Sequence, residues 1–289
     1  MIRVLGCLLF FLLSVGFPSL GHSETAAPAW RVVPERIIQG GIVTVTLQSA
    51  SAVRTAALRL NGRDIPLQPD IEGRFIVWLG VDLDQPPGAW DLPTTAVFAS
   101  GESVNGTVRL LVENAGYPIQ RLTVPRTFTE LDAQTLERIA REKDTLDRIW
   151  ETWTPERYWQ GAFQAPVGGT GTGFGVRRII NGEPRSPHTG QDYAAPAGTP
   201  VAAANAGRVV VEADQFFSGK SLVIDHGQGL YTMYFHLAEF LAPAGHRVAK
   251  GDIVARVGST GRVTGPHLHW GARLNGARIN PEALLRLAD

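Results

Sequence analysis

Between residues 41 and 114, apolar and polar positions alternate in short runs broken by turn residues. GIVTVTLQ (41–48), RFIVWLGV (74–81), TTAVFAS (94–100) and VNGTVRLLVEN (104–114) read as strands, because a period of two turns one face toward a core. AALRLNGRDIPLQ (56–68) holds Asn61-Gly62 between two such runs, the signal for a two-residue hairpin turn. Strands at this spacing predict a small Ig-like β-sandwich over 28–115, an accessory domain. The period changes over 127–150, where Leu136, Ile139, Ala140, Leu146, Ile149 and Trp150 recur near helical spacing. Thr127 followed by Glu130 fits a capping box. With Trp150, Trp153, Tyr158 and Trp159 crowded behind it, this stretch predicts a helical connector over 116–160. Its aromatics are expected to dock on a neighbouring domain in preference to forming a glycan platform. Residues 161–289 return to short strands: VAAANAGRVVVEAD (201–214), GKSLVIDHG (219–227), LYTMYFHLAEF (230–240), GDIVARVGS (251–259) and HLHWGARLNG (267–276). GGTGTGFGV (168–176) has no following Gly-Lys-Ser/Thr and does not match GxGxxG, so it reads as a flexible surface loop. The chain as a whole is mainly β.

The first residues follow a different pattern. One Arg precedes an apolar run from Val4 to Phe17, and small polar residues come after it. This predicts a secretory signal peptide over 1–23, too short for a comfortable membrane span. The only cysteine, Cys7, falls inside it, and the hydrophobic run follows that cysteine instead of preceding it, which argues against lipidation. The mature chain is then without thiol or disulfide, exported to the periplasm or secreted, and without an integral membrane anchor after cleavage. A formal net charge of zero offers nothing to nucleic acid or an anionic membrane. A mature length of about 265 residues suggests two domains, and a monomer is expected.

Chemistry concentrates in the last hundred residues. The chain has seven histidines, none of them within 28–115. His188, His226, His236, His267 and His269 lie in SPHTGQDYAAP (186–196), IDHGQG (224–229), MYFHLAEF (233–240) and GPHLHWG (265–271). His267 and His269 share a face if 267–271 is a strand. The pair is then either a metal or acid/base site or two half-exposed surface histidines. His188 and Asp192 would share a helix face, but Pro184, Pro187, Gly190, Pro196 and Gly198 exclude a helix, so a loop or short strand must join them. Nitrogen and carboxylate donors suit Zn²⁺, and three protein ligands plus water is the catalytic arrangement. Spacing alone does not decide which of His267 and His269 would bind metal.

The order His-x-Gly-x-Asp, Tyr-x-His-Leu, His-Leu-His, over about eighty residues, resembles the M23 (LytM/lysostaphin-like) zinc metallopeptidases, secreted enzymes that cut peptide bonds in bacterial cell walls. The resemblance covers roughly 160–285. It is supported by HTGQDYAAPAGTPVAAANAGRVV (188–210), VIDHGQGLYTMYFHL (223–237), VAKGDIVARVGSTGRVTGPHLHW (248–270) and INPEALL (279–285). It implies an antiparallel β peptidase domain over 161–289, with His188, Asp192 and His269 holding one Zn²⁺ per chain. His236 and His267 become the unliganded catalytic histidines, and the substrate becomes the peptide stems or cross-links of peptidoglycan. The alternative is a non-catalytic regulator of other wall hydrolases or a wall-binding module. Such relatives typically lack some ligands, whereas all five positions are filled here. His226, beside Asp225, is either a further ligand or, as preferred, a turn-stabilising residue. Tyr193 and Tyr234 flank the site as core or groove wall, and Asn181 and Arg185 are candidates to line the groove.

Overall fold

The computed structural model describes residues 28–125 and 130–287. The leader expected over 1–23, and Thr127 of the expected capping box, lie outside them. Eight strands come first: β1 (Ala29–Val33), β2 (Arg36–Ile38), β3 (Ile42–Gln48), β4 (Val53–Leu60), β5 (Arg63–Pro69), β6 (Phe75–Gly80), β7 (Gly88–Phe98) and β8 (Ser103–Glu113). They pair in the order β1-β3-β6-β5-β4-β7-β8-β2. Strand β5 is the fold line: Arg63 to Leu67 pair with β4, while Gln68 and Pro69 pair with β6. Both halves of the path therefore face one core. Val45, Leu47 and Leu79 enter it from one layer, and Leu58, Leu92 and Leu110 from the other. Asn61 and Gly62 turn the β4–β5 hairpin with φ of 49° and 80°, the left-handed pair that such a turn requires.

The connector contributes β9 (Ile119–Leu122) and α1 (Ala133–Glu151), and β10 (Arg177–Ile180) and β11 (Glu183–Arg185) complete a three-stranded sheet with β9. The helix is capped by Asp132, whose carboxylate accepts the Thr135 N–H at 2.7 Å. An ionised side chain at the first turn satisfies a free amide and suits the helix dipole, so the cap falls at Asp132 instead of at Thr127 and Glu130. The predicted stripe is used only at its C-terminal end. Leu136 is 54% exposed, whereas Leu146, Ile149 and Trp150 pack against Val211, Val223, Tyr231 and Met233. The crowded aromatics dock as expected: Trp150 meets Tyr231 edge-on at 5.3 Å, and buried Trp159 lies on Trp78 at 5.1 Å.

The remaining strands are β12 (Gly190–Ala194), β13 (Pro200–Ala202), β14 (Gly207–Gln215), β15 (Gly219–Gly227), β16 (Leu230–Phe240), β17 (Arg247–Val248), β18 (Ile253–Val257), β19 (His267–Leu274) and β20 (Ala277–Ile279). Their main path is β12-β19-β16-β15-β14-β17; β18 joins β16 to β13, and β20 flanks β19. Alternation along β15 and β16 covers both faces. Leu222, Ile224, Leu230 and Tyr234 enter the main core, while Val223, Tyr231 and Met233 meet the helix. The two β regions meet through a shared surface. Ile42 and Trp78 leave their own sandwich to join the C-terminal core. Arg278 clasps the Asp82 carboxylate, with its N–H groups donating at 2.6 and 3.0 Å. Gly80 allows this approach, because a Cβ there would lie 2.8 Å from the Leu274 carbonyl oxygen. A cavity of about 270 Å³ remains at the junction, lined by Trp90, Trp150, Trp153 and Asn275 among others.

Candidate metal centre

Strand pairing assembles the centre. Antiparallel β12 and β19 set Asp192 directly opposite His269, and Ala194 opposite His267. On the other side of β19, Phe235 of β16 is opposite His269. His188 precedes β12 and is held from behind by the glycine-rich segment. Its N–H donates to the Val176 carbonyl at 2.9 Å, and its carbonyl accepts the Gly175 N–H at 2.8 Å. Thr172 and Asp192 exchange two backbone hydrogen bonds, at 3.1 and 2.8 Å. Gly168 to Thr170 are exposed as a surface loop would be, but residues 171–176 are a wall packed on His188, Gln191 and Asp192. At Gly173, with φ of 97°, a Cβ would sit 2.8 Å from His188 Nδ1; at Gly190 it would sit 2.5 Å from His269 Nε2. The glycines let the backbone close on the imidazoles. The same composition reads as a linker because the absence of Cβ permits both mobility and close approach.

The three expected ligands converge. His188 Nε2 lies 3.0 Å from Asp192 Oδ1 and 3.0 Å from His269 Nδ1, and His269 Nδ1 lies 2.9 Å from Asp192 Oδ1. His188 and His269 are 6% and 7% exposed, while Asp192 is partly open. Among the described residues this is the one group of three or more His, Cys, Asp or Glu close enough to hold a metal ion. Two buried imidazole nitrogens and a carboxylate oxygen make a compact donor set with one negative charge, which fits a divalent N/O-preferring ion such as zinc. Burial acts to raise the Asp192 carboxyl, but its hydrogen bonds from His188 and His269 outweigh that and hold it well below the usual carboxylate range. Burial lowers the His269 imidazole.

The two further histidines flank this triangle. His267 Nε2 is 3.8 Å from Asp192 Oδ1, on the same strand face as His269, and Leu268 between them is fully buried in the core. The His236 ring lies 4.8 Å from that of His267 and 6.1 Å from that of His269. Phe235 stacks on His269 at 5.3 Å, with the planes 2° apart. Adjacent residues on a regular strand point to opposite faces, yet Phe235 and His236 both reach the centre. The reason is a left-handed backbone at His236, φ 64°, where the ladder to β15 shifts register. Such a conformation costs on the order of 1–3 kcal/mol and persists only when its surroundings impose it. Each flanking imidazole donates Nδ1–H to a backbone carbonyl, His236 to Thr260 at 3.0 Å and His267 to Gly265 at 2.9 Å. In a neutral ring this tautomer leaves the lone pair on Nε2. Burial foremost, then the neighbouring His269, lowers His236 to about 4, so it is neutral at pH 7.

The other named residues have structural places. His226 is fully buried in a satisfied chain: Nδ1–H donates to the Ala206 carbonyl and Nε2 accepts from the Thr232 hydroxyl, both at 2.7 Å. It ties strands together and is neither a ligand of this group nor a simple turn residue. Tyr234, 0% exposed, continues that chain to Thr232 and accepts the Ala204 N–H. Tyr193, 1% exposed, donates to Glu282. Asn181 holds the β10–β11 turn against the Val124 backbone, and Arg185 is exposed on β11. The spacing arguments missed Phe235, the Thr260 carbonyl and the glycine wall; the alternation rule itself points Phe235 away from the site.

A buried two-histidine, one-carboxylate centre beside two neutral-capable imidazoles, set in an antiparallel sheet, defines a candidate metal-dependent hydrolase centre. The sequence model of Peptidase family M23 matches residues 186–281, about a third of the chain. The match spans every residue of the triangle and both flanking histidines. The chain is 47% identical over 94 residues to "DD-carboxypeptidase/endopeptidase Mpg" of Neisseria meningitidis, covering 32% of this chain and 22% of that protein. It is 34% identical over 138 residues to "Peptidoglycan DD-endopeptidase ShyA" of Vibrio cholerae, covering 47% of this chain and 30% of that one. The chain thus spans between a fifth and a third of the length of these curated relatives. A crystal structure of an M23-family protein from Pseudomonas aeruginosa superposes with a TM-score of 0.67 at 29% identity, covering 86% of this chain and 94% of that one. That likeness includes the N-terminal β region and the connector as well as the M23 domain.

Proposed function

We propose that the chain is an exported, zinc-dependent endopeptidase that hydrolyses peptide bonds in the stems or cross-links of peptidoglycan, with one Zn²⁺ held by His188, Asp192 and His269. The observation that carries this reading is the convergence of those three donors within about 3 Å of one another, beside His236 and His267. The matched relatives named as DD-endopeptidases support a bond between two D-configured centres as the target.

Zinc bound there supplies Lewis acidity, polarising a carbonyl and bringing the acidity of water close to neutrality. The chain's own groups do the rest. His188, Asp192 and His269 would hold the ion, and His236 and His267 stand beside them. Between them, the Nε2 atoms of His236 and His267 accept a proton from the attacking water and return one to the departing amine. The Thr260 and Gly265 carbonyls hold both rings in the tautomer that leaves Nε2 available. With all five positions filled, the enzyme reading is preferred over a non-catalytic regulator of wall hydrolases.

The test is digestion of purified cross-linked peptidoglycan, with new amine termini counted and muropeptides weighed by mass spectrometry. Wild type releases amines; chelator and His188→Ala abolish release. His267→Ala keeps its zinc but slows release by about 10²–10⁴-fold. Wild type that binds zinc stoichiometrically and yet releases no amines would transfer the reading to the regulator.

A further inference from the structure

Resting on the reading of His236 as a catalytic histidine, we propose that Thr260 is a positioning residue that sets the tautomer and direction of the His236 imidazole. His236 sits in a left-handed backbone conformation that its own strand does not favour. Two turns hold it. Its N–H donates to the Ser218 carbonyl at 2.9 Å, and its Nδ1–H donates to the Thr260 carbonyl at 3.0 Å. The direction of the imidazole is therefore only as well defined as the place of the Thr260 peptide.

The Thr260 side chain fixes that peptide. A hydroxyl offers one donor and two acceptor positions, and Thr260 uses both functions, one toward the strand that carries His236 and one toward its neighbour. It accepts the Lys220 N–H of β15 at 2.9 Å and donates to the Leu237 carbonyl of β16 at 2.8 Å. Leu237 is the residue next to His236, so one side chain anchors both the carbonyl that orients the ring and the bulge that carries it. The turn around Thr260 closes directly on the turn before β15. The Arg262 N–H donates to the Phe217 carbonyl at 2.9 Å, and a Cβ on Gly219 would lie 2.3 Å from the Thr260 carbonyl carbon. Ser218 is itself tied to Gln215 and Ser221 at 2.8 and 2.9 Å, which stiffens the partner turn. Thr260 reaches the reaction through His236; its test accordingly separates positioning from mere folding.

The test uses the zinc-loaded full chain labelled with ¹⁵N-histidine, in wild type, Thr260→Val and Thr260→Ser. Valine keeps the shape and loses the hydroxyl; serine keeps the hydroxyl. Long-range ¹H–¹⁵N correlation reads the tautomer of His236, assigned by its loss in His236→Gln. Wild type and Thr260→Ser show a single Nδ1–H tautomer, and Thr260→Val shows a mixture. With cross-linked muropeptide dimer as substrate, Thr260→Val lowers kcat about 10–100-fold, with KM and zinc content unchanged, and Thr260→Ser restores it. A Thr260→Val protein with the wild-type tautomer and kcat overturns the proposal. Should Thr260→Val not fold, an Nε2–H tautomer at His236 in wild type overturns it on its own. The tautomer readout needs no turnover, so inactivity of wild type on the dimer would count against the proposed function and leave this inference standing.

Discussion

The eight strands before residue 114 and the nine-stranded sheet after residue 190 are both laid out by two-residue alternation, yet they bury different atoms. Among the described residues, the first region buries Gln39 and Thr94 as its polar side chains and otherwise an aliphatic and aromatic core. The second buries His188, Gln191, Asn205, Gln215, Ser221, Asp225, His226, Thr232, His236 and His269. Buried polar groups are costly unless paired, and the second region pairs them in chains such as Ala206–His226–Thr232–Tyr234. Backbone conformation divides the same way. The left-handed non-glycine residue of the first region is Asn61 in a hairpin turn, whereas the second places one, His236, within a strand beside its site. One region invests its sequence in a stable platform. The other gives up some regularity to aim specific nitrogens.

This contrast can be broken most sharply in the first core. Leu58, fully buried among apolar neighbours, should cost about 2–5 kcal/mol of unfolding free energy when changed to Ala. The turnover of each remaining folded, zinc-loaded molecule should stay at the wild-type rate, as denaturant titration alongside a hydrolysis assay would show. A lost rate per folded molecule would mean the platform does more than support.

The second test is the pH dependence of His226. Burial holds its imidazole down from 6.5 to about 4, so the unfolded chain binds the extra proton first as pH falls. Its contribution is complete above pH 6.5 and lost as pH falls toward 4, on the order of 3 kcal/mol over that window. Unfolding of wild type and His226→Gln at a series of pH values should show the wild-type advantage shrinking through that range. A constant difference would mean that His226 carries its proton in the folded state. Next in size is Gly173→Ala. Its Cβ would press on His188 Nδ1 from a left-handed backbone, and zinc affinity should fall about 10–100-fold by competition with a fluorescent chelator. The smallest effect belongs to the surface of the first region. Arg109→Ala removes an exposed pair with Asp91 and should leave both melting temperature and turnover unresolved from wild type.

Much of this was legible before any fold was known. Strand runs at 41–48, 56–68 and 104–114 announced themselves because alternation is a local rule. The Asn61-Gly62 turn did so because few residues tolerate its backbone. His188 and Asp192 could be grouped because proline and glycine around them excluded a helix. The cap of α1 at Asp132 is not singled out by the sequence, since several side chains before the helix are chemically able to cap. The packing of 171–176 is not legible in the glycine-rich run, because composition does not distinguish a mobile loop from a backbone pressed against a histidine.

By itself, then, the sequence determined which donors were available and in what order, from His188 and Asp192 to His236, His267 and His269, while their division into metal donors and proton carriers rests on the family resemblance. The tertiary structure decided that Asp192 faces His269 across a strand pair and that His236 turns left-handed to share a face with Phe235. It also decided that Trp78 and Ile42 leave one core for another. The physical reason is range. Residue type and alternation act over a few positions, whereas these placements follow from hydrogen bonds and contacts between segments far apart in the chain, whose register no local pattern encodes.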